Sequence, residues 1–119
     1  MRVLDGEQIL VRVFSGEGAQ FGRQPLARAL RERLRAEGFA GATVMRGVAG
    51  FGAASVIHSA SLVDLSADLP LSIEVVGDAE HVERLLVILD EMLEGSALVT
   101  VEKVRVVRYA QNAGRPMPR

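Results

Sequence analysis

Apolar residues recur along the chain with two different periods, and these predict four strands and two helices. Residues 9–14 are apolar apart from Arg12 and are followed by a glycine-containing stretch, so we predict the first strand there. On the same grounds, further strands are predicted at residues 42–46, 71–76 and 98–109. In the last of these the apolar alternation changes phase at Glu102-Lys103, which predicts a β-bulge.

Two segments with apolar residues at a spacing near 3.6 predict helices. The first follows Pro25 and is expected to end at a left-handed Gly38. The second is expected to begin after Asp78, a favourable N-cap residue, and to end at Gly95. The predicted apolar faces are Leu26, Leu30 and Leu34 in the first helix, and Val82, Leu85, Leu86, Leu89, Met92 and Leu93 in the second. The two helices carry opposite charge, which favours side-by-side packing.

The order of these elements, β-α-β-loop-β-α-β, predicts an α+β fold. It is typical of a ferredoxin-like βαββαβ sandwich, in which a four-stranded antiparallel sheet has both helices on one face. We expect residues 1–109 to form this single domain and residues 110–119 to form a flexible C-terminal tail. The uncovered sheet face should be polar in a monomer. Strand one, however, is apolar on both faces apart from Arg12: Val11 lies on one face, and Leu10 and Phe14 lie on the other. We therefore predict an oligomer that buries the uncovered face.

Composition narrows the class of protein. The 14 basic and 15 acidic residues nearly cancel, which excludes a broadly basic nucleic-acid binder. The absence of cysteine excludes thiol catalysis and zinc-thiolate sites, and His58 and His81 are too sparse for a histidine-built metal site, so we predict no metal. No apolar run approaches the ~20 residues that span a bilayer. Charged residues also come too early for a signal peptide, so we expect a cytoplasmic protein without direct membrane insertion.

The segment that starts at Arg46 is the most marked chemical feature. Its glycines, Gly47, Gly50 and Gly52, allow backbone N–H groups to approach an anion, and Arg46 supplies positive charge. The alternative is that these glycines only permit a tight exit from strand two. The segment also partly matches an RNA-recognition pattern, but 4% aromatic residues provide no stacking platform for bases, so we reject nucleic-acid binding.

Two further groups of residues are candidates for chemistry. His58 lies near several serines and Asp64, but no nucleophile elbow accompanies it, so a histidine that hydrogen-bonds locally or touches a ligand is favoured over a catalytic one. Lys103, Arg105 and Arg108 form a basic stretch in the last strand. This stretch either faces a phosphate or is an ordinary solvated strand edge.

Residues 38–52 resemble the strand-two and loop-base motif of PII signalling proteins, and residues 68–76 resemble the start of their third strand. The similarity is closer still to a PII-like family known as domain of unknown function 190. The shared features are the Gly-Ala-Thr-Val-x-Arg-Gly start of strand two, the Gly-Phe-Gly turn, the pair Ile57-His58, the segment Asp68-Leu69-Pro70 and the strand Val101-Glu102-Lys103-Val104. The resemblance covers about residues 7–109.

The resemblance implies a homotrimer whose sheets face inward, with an adenine nucleotide in the cleft between subunits. It also implies a loop, residues 47–68 here, that contacts a membrane transporter, a channel or a metabolic enzyme. Residues 94–98 have one glycine and no lysine, unlike the loop with which PII proteins bind the nucleotide phosphates. We therefore favour AMP and ADP over ATP as ligands. The expected ligand contacts are Arg46, Gly47, Gly50, Phe51, Gly52, His58, Lys103, Arg105 and Arg108.

Three interpretations of function follow. The first is a non-enzymatic, PII-like regulatory trimer that binds a small anion and signals through residues 47–68. The second is a small ferredoxin-like enzyme, an isomerase or a hydrolase, with His58 as acid or base, because this fold also hosts enzymes. The third is an assembly module without a ligand. We favour the first and expect no catalytic residue.

Overall fold

The computed structural model describes residues 2–50, 69–93 and 97–111, and its elements follow the predicted order. The two predicted helices and four predicted strands are all present, and β2 and β3 form an additional short hairpin that the sequence pattern does not indicate. The strands are β1 (Arg2–Gly16), β2 (Gln20–Phe21), β3 (Gln24–Pro25), β4 (Thr43–Arg46), β5 (Pro70–Gly77) and β6 (Leu98–Gln111), and the helices are α1 (Leu26–Ala36) and α2 (Ala79–Met92).

The main sheet has the strand order β4-β5-β1-β6, and each strand is antiparallel to its neighbours. Both helices pack on the side of the sheet to which alternate residues of β1 and β5 point. On that side the strand residues Val11, Val13, Ile73 and Val75 have almost no contact with solvent. This arrangement confirms the predicted α+β, ferredoxin-like fold.

Local signals account for where the helices begin and end. The Asp78 side chain accepts a hydrogen bond from the backbone N–H of His81 at 2.8 Å, which confirms the predicted N-cap. Gly38 has φ +84° and donates its N–H to the Arg35 carbonyl at 3.2 Å, which confirms the predicted left-handed residue after α1. Gly95, the predicted end of the second helix, lies outside the described residues.

The buried faces of the helices agree with prediction in α1 but differ in α2. Leu26, Leu30 and Leu34 are all buried, as expected. In α2, however, the predicted core residue Leu86 is 38% exposed, whereas Ile88 is buried instead. The reason is that Val82, Leu85, Ile88, Leu89 and Met92 form one stripe along the helix, and Leu86 lies about 100° around the axis from Leu85. An ion pair links the oppositely charged helices, since Nη2 of Arg33 in α1 lies 3.3 Å from Oε2 of Glu91 in α2.

The predicted β-bulge at Glu102-Lys103 is wrong. The register of β1 and β6 is continuous there and shifts only between Leu4 and Gly6. The change in apolar phase has another origin: Val99 packs against the helix-covered core, whereas Val104 lies on the opposite face of the sheet. The apolar side of β6 therefore changes face without an inserted residue.

The sheet face that neither α1 nor α2 covers, which we call the open face, has a charged centre that the sequence pattern does not reveal. Arg12 lies in β1 between Glu74 of β5 and Glu102 of β6 and is hydrogen-bonded to both carboxylates, at 2.9 Å to Glu74. The bond to Glu74 raises the pKa of the Arg12 guanidinium above its usual value. Around this centre Phe14 and Leu98 are exposed. An oligomer that buries the open face stays a prediction.

β6 continues to Gln111, two residues into the segment predicted as a tail, and residues 112–119 lie outside the described part of the chain. Within the described residues, neither helix combines the length and apolarity needed to cross a membrane.

Candidate functional site

The predicted loop base lies where β4 ends and β5 begins, and the chain is tightly packed there. Gly47 follows the last residue of β4 and donates its N–H to the Pro70 carbonyl at 2.7 Å. A Cβ atom on Gly47 would lie only 2.8 Å from Cγ of Pro70, so no larger residue fits without a shift. Glycine is therefore required at position 47 by the strand exit itself, and its N–H is already used by the protein.

Gly50 packs against the same proline ring. Its φ of +153° is disfavoured for residues with a side chain, and a Cβ atom there would lie 3.2 Å from Cγ of Pro70. Gly47 and Gly50 thus both lie close to the ring of Pro70. Of the two glycines, Gly50 is exposed and Gly47 is half-buried, so the main chain near Arg46 is partly open to solvent.

Arg46 carries the positive charge of this site, and it has a partner. Its Nη2 lies 2.9 Å from Oε1 of Glu17, with 61% of the Arg46 side chain and 29% of the Glu17 side chain exposed. Glu17 is fixed through its backbone, since its N–H donates to the Leu69 carbonyl at 2.8 Å. The pair connects the chain just beyond β1 to the end of β4.

Sequence reasoning misses Glu17. It lies in a stretch that the pattern marks only as the end of the first strand, 29 positions before Arg46. The two residues meet because β5 pairs with both β1 and β4, and it brings Gly16 and Arg46 to adjacent positions at Pro70 and Leu71. A carboxylate beside glycines after a strand carries no local signal of such a long-range pair.

Lys103 and Arg105 lie at the other end of the sheet. Lys103 Nζ is 3.6 Å from Oε1 of Glu7, and both side chains are largely exposed. With Glu7 they border a surface depression of about 420 Å³. The β1 partners of Lys103 and Pro70 are Ile9 and Gly16, which are roughly 24 Å apart along an extended strand. One chain therefore does not bring these basic residues to the loop base.

The remaining predicted ligand contacts are not described. Phe51, Gly52 and His58 lie outside the described residues, and so does the side chain of Arg108 in β6. Of the nine predicted contacts, the structure thus brings Arg46, Gly47 and Gly50 together and separates them from Lys103 and Arg105.

The charged group at the loop base is one exposed guanidinium, that of Arg46, and a guanidinium can donate charge-assisted hydrogen bonds to an anion. Among the side chains of the described ranges, no group of three His, Cys, Asp or Glu residues is placed to hold a metal ion.

Comparison with protein families and curated proteins gives a consistent match. Residues 8–106 match the model of the family DUF190, "Uncharacterized ACR, COG1993". A UPF0166 protein from Aquifex aeolicus is 34% identical over 109 residues, which cover 90% of this chain and 98% of that protein. A second UPF0166 protein, from Methanocaldococcus jannaschii, is 28% identical over 99 residues, covering 83% of this chain and 91% of its own length.

Solved structures share the fold at lower identity. A PII-like signaling protein from Thermus thermophilus superposes with a TM-score of 0.60 at 22% identity, covering 90% of this chain and 94% of that one. CPII from Thiomonas intermedia, whose structure is bound to ADP, AMP and acetate, also has a TM-score of 0.60, at 17% identity and with 93% and 94% coverage. At these identities the likeness shows the fold, which is PII-like.

Proposed function

This chain belongs to the DUF190 family, and we propose that it is a PII-like regulatory protein that binds a small anionic ligand, AMP or ADP, at the loop base. The observation that carries the proposal is that the exposed Arg46 side chain lies next to Gly47 and Gly50, the two glycines packed on Pro70. Support also comes from CPII, a protein of the same fold whose structure holds ADP and AMP.

The proposed ligand lies between subunits of a homotrimer. Within one chain Arg46 provides one positive charge at the loop base, and a phosphate-bearing ligand carries more negative charge than one guanidinium neutralises. Lys103 and Arg105 are too far along the sheet to join it, but those of a neighbouring copy are free of this restriction. The exposed apolar residues Phe14 and Leu98 on the open face support association of the sheets. The second copy would then complete the site.

We further propose that residues 47–68 contact a target protein, a membrane transporter, a channel or an enzyme. Both ends of this stretch are fixed to the sheet by backbone hydrogen bonds, from Gly47 to Pro70 and from Glu17 to Leu69. A ligand at Arg46 therefore lies beside the point where the stretch leaves the sheet. Ligand binding there would influence how the stretch is presented to a target.

Isothermal titration calorimetry with AMP, ADP and ATP tests the ligand. We expect binding of AMP and ADP, and we expect Arg46→Ala to weaken it about tenfold or more, since a hydrogen bond to a charged group contributes ~1.5–3 kcal/mol. Arg28→Ala is the matched control, because Arg28 is equally exposed and also has one carboxylate partner, Glu32, at 3.2 Å. It should leave binding unchanged.

Absence of binding for all three nucleotides at millimolar concentration would refute the nucleotide proposal. An intact oligomer without any ligand would then favour the assembly module, which needs the open face but not Arg46. Turnover of a substrate that is lost in His58→Ala would instead favour the enzyme.

A further inference from the structure

Arg46 is not freely available to a ligand in this structure, because Glu17 already occupies it. The 2.9 Å separation between Nη2 and Oε1 is that of a charge-assisted contact. The main chain of Glu17 is held beside this position, since its N–H donates to the carbonyl of Leu69, the residue before β5. The carboxylate is thus held at the place where the negative group of a ligand would meet Arg46.

The other carboxylate oxygen of Glu17, Oε2, lies in an unfavourable environment. Oε2 is buried and has no hydrogen-bond partner in the described part of the chain. A buried, unpaired carboxylate oxygen is unfavourable. Glu32, the partner of Arg28 on α1, shows the contrast, because its side chain is 59% exposed to solvent. The Glu17 carboxylate is therefore more enclosed at the loop base than the Glu32 carboxylate is on α1, with 29% against 59% of the side chain exposed.

From this geometry we infer that Glu17 is an internal competitor for Arg46, which weakens the binding of phosphate-bearing ligands at the loop base. This inference rests on the proposed function and names a residue that sets its affinity. An incoming anion must displace the Glu17 carboxylate from Arg46 or share Arg46 with it, and in both cases it meets a like charge nearby. The same carboxylate recovers Arg46 when the ligand leaves, which favours exchange over permanent occupancy.

Replacement of Glu17 by glutamine separates charge from shape. The amide oxygen of Glu17→Gln can still accept from Arg46, but the negative charge is gone. We expect ADP to bind roughly two- to fivefold more tightly, since the competing charge is removed from Arg46 and its repulsion of the ligand is removed with it. The gain should disappear in the double variant Glu17→Gln/Arg46→Ala, because it acts through Arg46. Glu32→Gln is the matched control and should leave ADP binding unchanged.

Titration with inorganic pyrophosphate, followed by the NMR signal of the Gly47 amide, provides a readout that does not need a nucleotide. Tighter binding of pyrophosphate by Glu17→Gln than by the wild-type protein supports the inference even if ADP does not bind, and only the nucleotide proposal then fails. Unchanged or weaker binding of both probes in Glu17→Gln overturns the inference, and so does a gain that persists in the double variant. In those cases a wild-type protein that binds ADP still satisfies the proposed function.

Discussion

On the helix-covered side of the sheet, Val11, Val13, Ile73 and Val75 are closed off from solvent, whereas on the open face Phe14 and Leu98 remain exposed around a charged centre. One chain therefore completes only the first of these two sides. The difference indicates that the helix-covered side supplies the folding stability of a single chain, while the open face is where a second chain can add contacts. Stability and assembly should then respond to different residues.

The largest effect on folding is expected on the helix-covered side. Leu85 is fully buried and its neighbour Leu86 is 38% exposed, so the two leucines form a matched pair on α2. Leu85→Ala should lower the free energy of unfolding by roughly 2–5 kcal/mol, because it leaves a cavity in the core. Leu86→Ala should cost less than about 1 kcal/mol. Urea denaturation measures both, and equal losses would show that the assignment of the core face of α2 is wrong.

Assembly should be most sensitive on the open face. Leu98 is 61% exposed in a single chain, so Leu98→Glu should fold normally but place an unpaired charge in the interface, which costs several kcal/mol. Light scattering should then show monomers for this variant and the proposed trimers for the wild-type protein. Val101→Glu is the control, since Val101 is similarly exposed but lies on the other side of β6. A wild-type monomer at micromolar concentration, or dissociation by Val101→Glu alone, would contradict the trimer.

A smaller effect on folding, again without any on assembly, is expected at the start of α2. Asp78→Ala removes the hydrogen bond to the His81 N–H and should cost about 1 kcal/mol. Asp90→Ala, an exposed position on the same helix, is the control and should change the thermal midpoint little. If Asp78→Ala changed the mass in solution, then folding and assembly would not be separable as the two sides of the sheet indicate.

The fold can be predicted from sequence because its signals are local. The Asp78 cap, the glycine after α1 and the apolar period of each helix depend on residues within a few positions of one another. The two wrong predictions, the burial of Leu86 and the β-bulge, also come from reading local patterns alone. Periodicity alone assigns Leu86 to the core because it does not fix which edge of the stripe faces the sheet. The β-bulge is predicted because a change in apolar phase is attributed to an inserted residue rather than to a change of face.

The site is less predictable because its contacts are long-range. The glycines and Arg46 form one contiguous segment, so they can be found. Glu17 cannot, since it reaches Arg46 only through the pairing of β5 with β1 and β4. Lys103 and Arg105 are expected with Arg46, yet the register of β1 with β6 places them at the far end of the same sheet. Strand order and register, rather than composition, decide which charges meet.

The two backbone bonds at Pro70 and Leu69 also bear on how this protein can be altered. They hold Gly47 and Glu17 to consecutive residues, so the chain that departs after Gly50 returns to the place it left. The entropic cost of closing a flexible loop between two such points grows slowly with its length, by only about 0.6 kcal/mol for each doubling. Flexible inserts of quite different size, placed between these two fixed ends, should therefore leave the pairing of β4 with β5 intact. This makes the position a natural point for grafting a foreign peptide or a reporter.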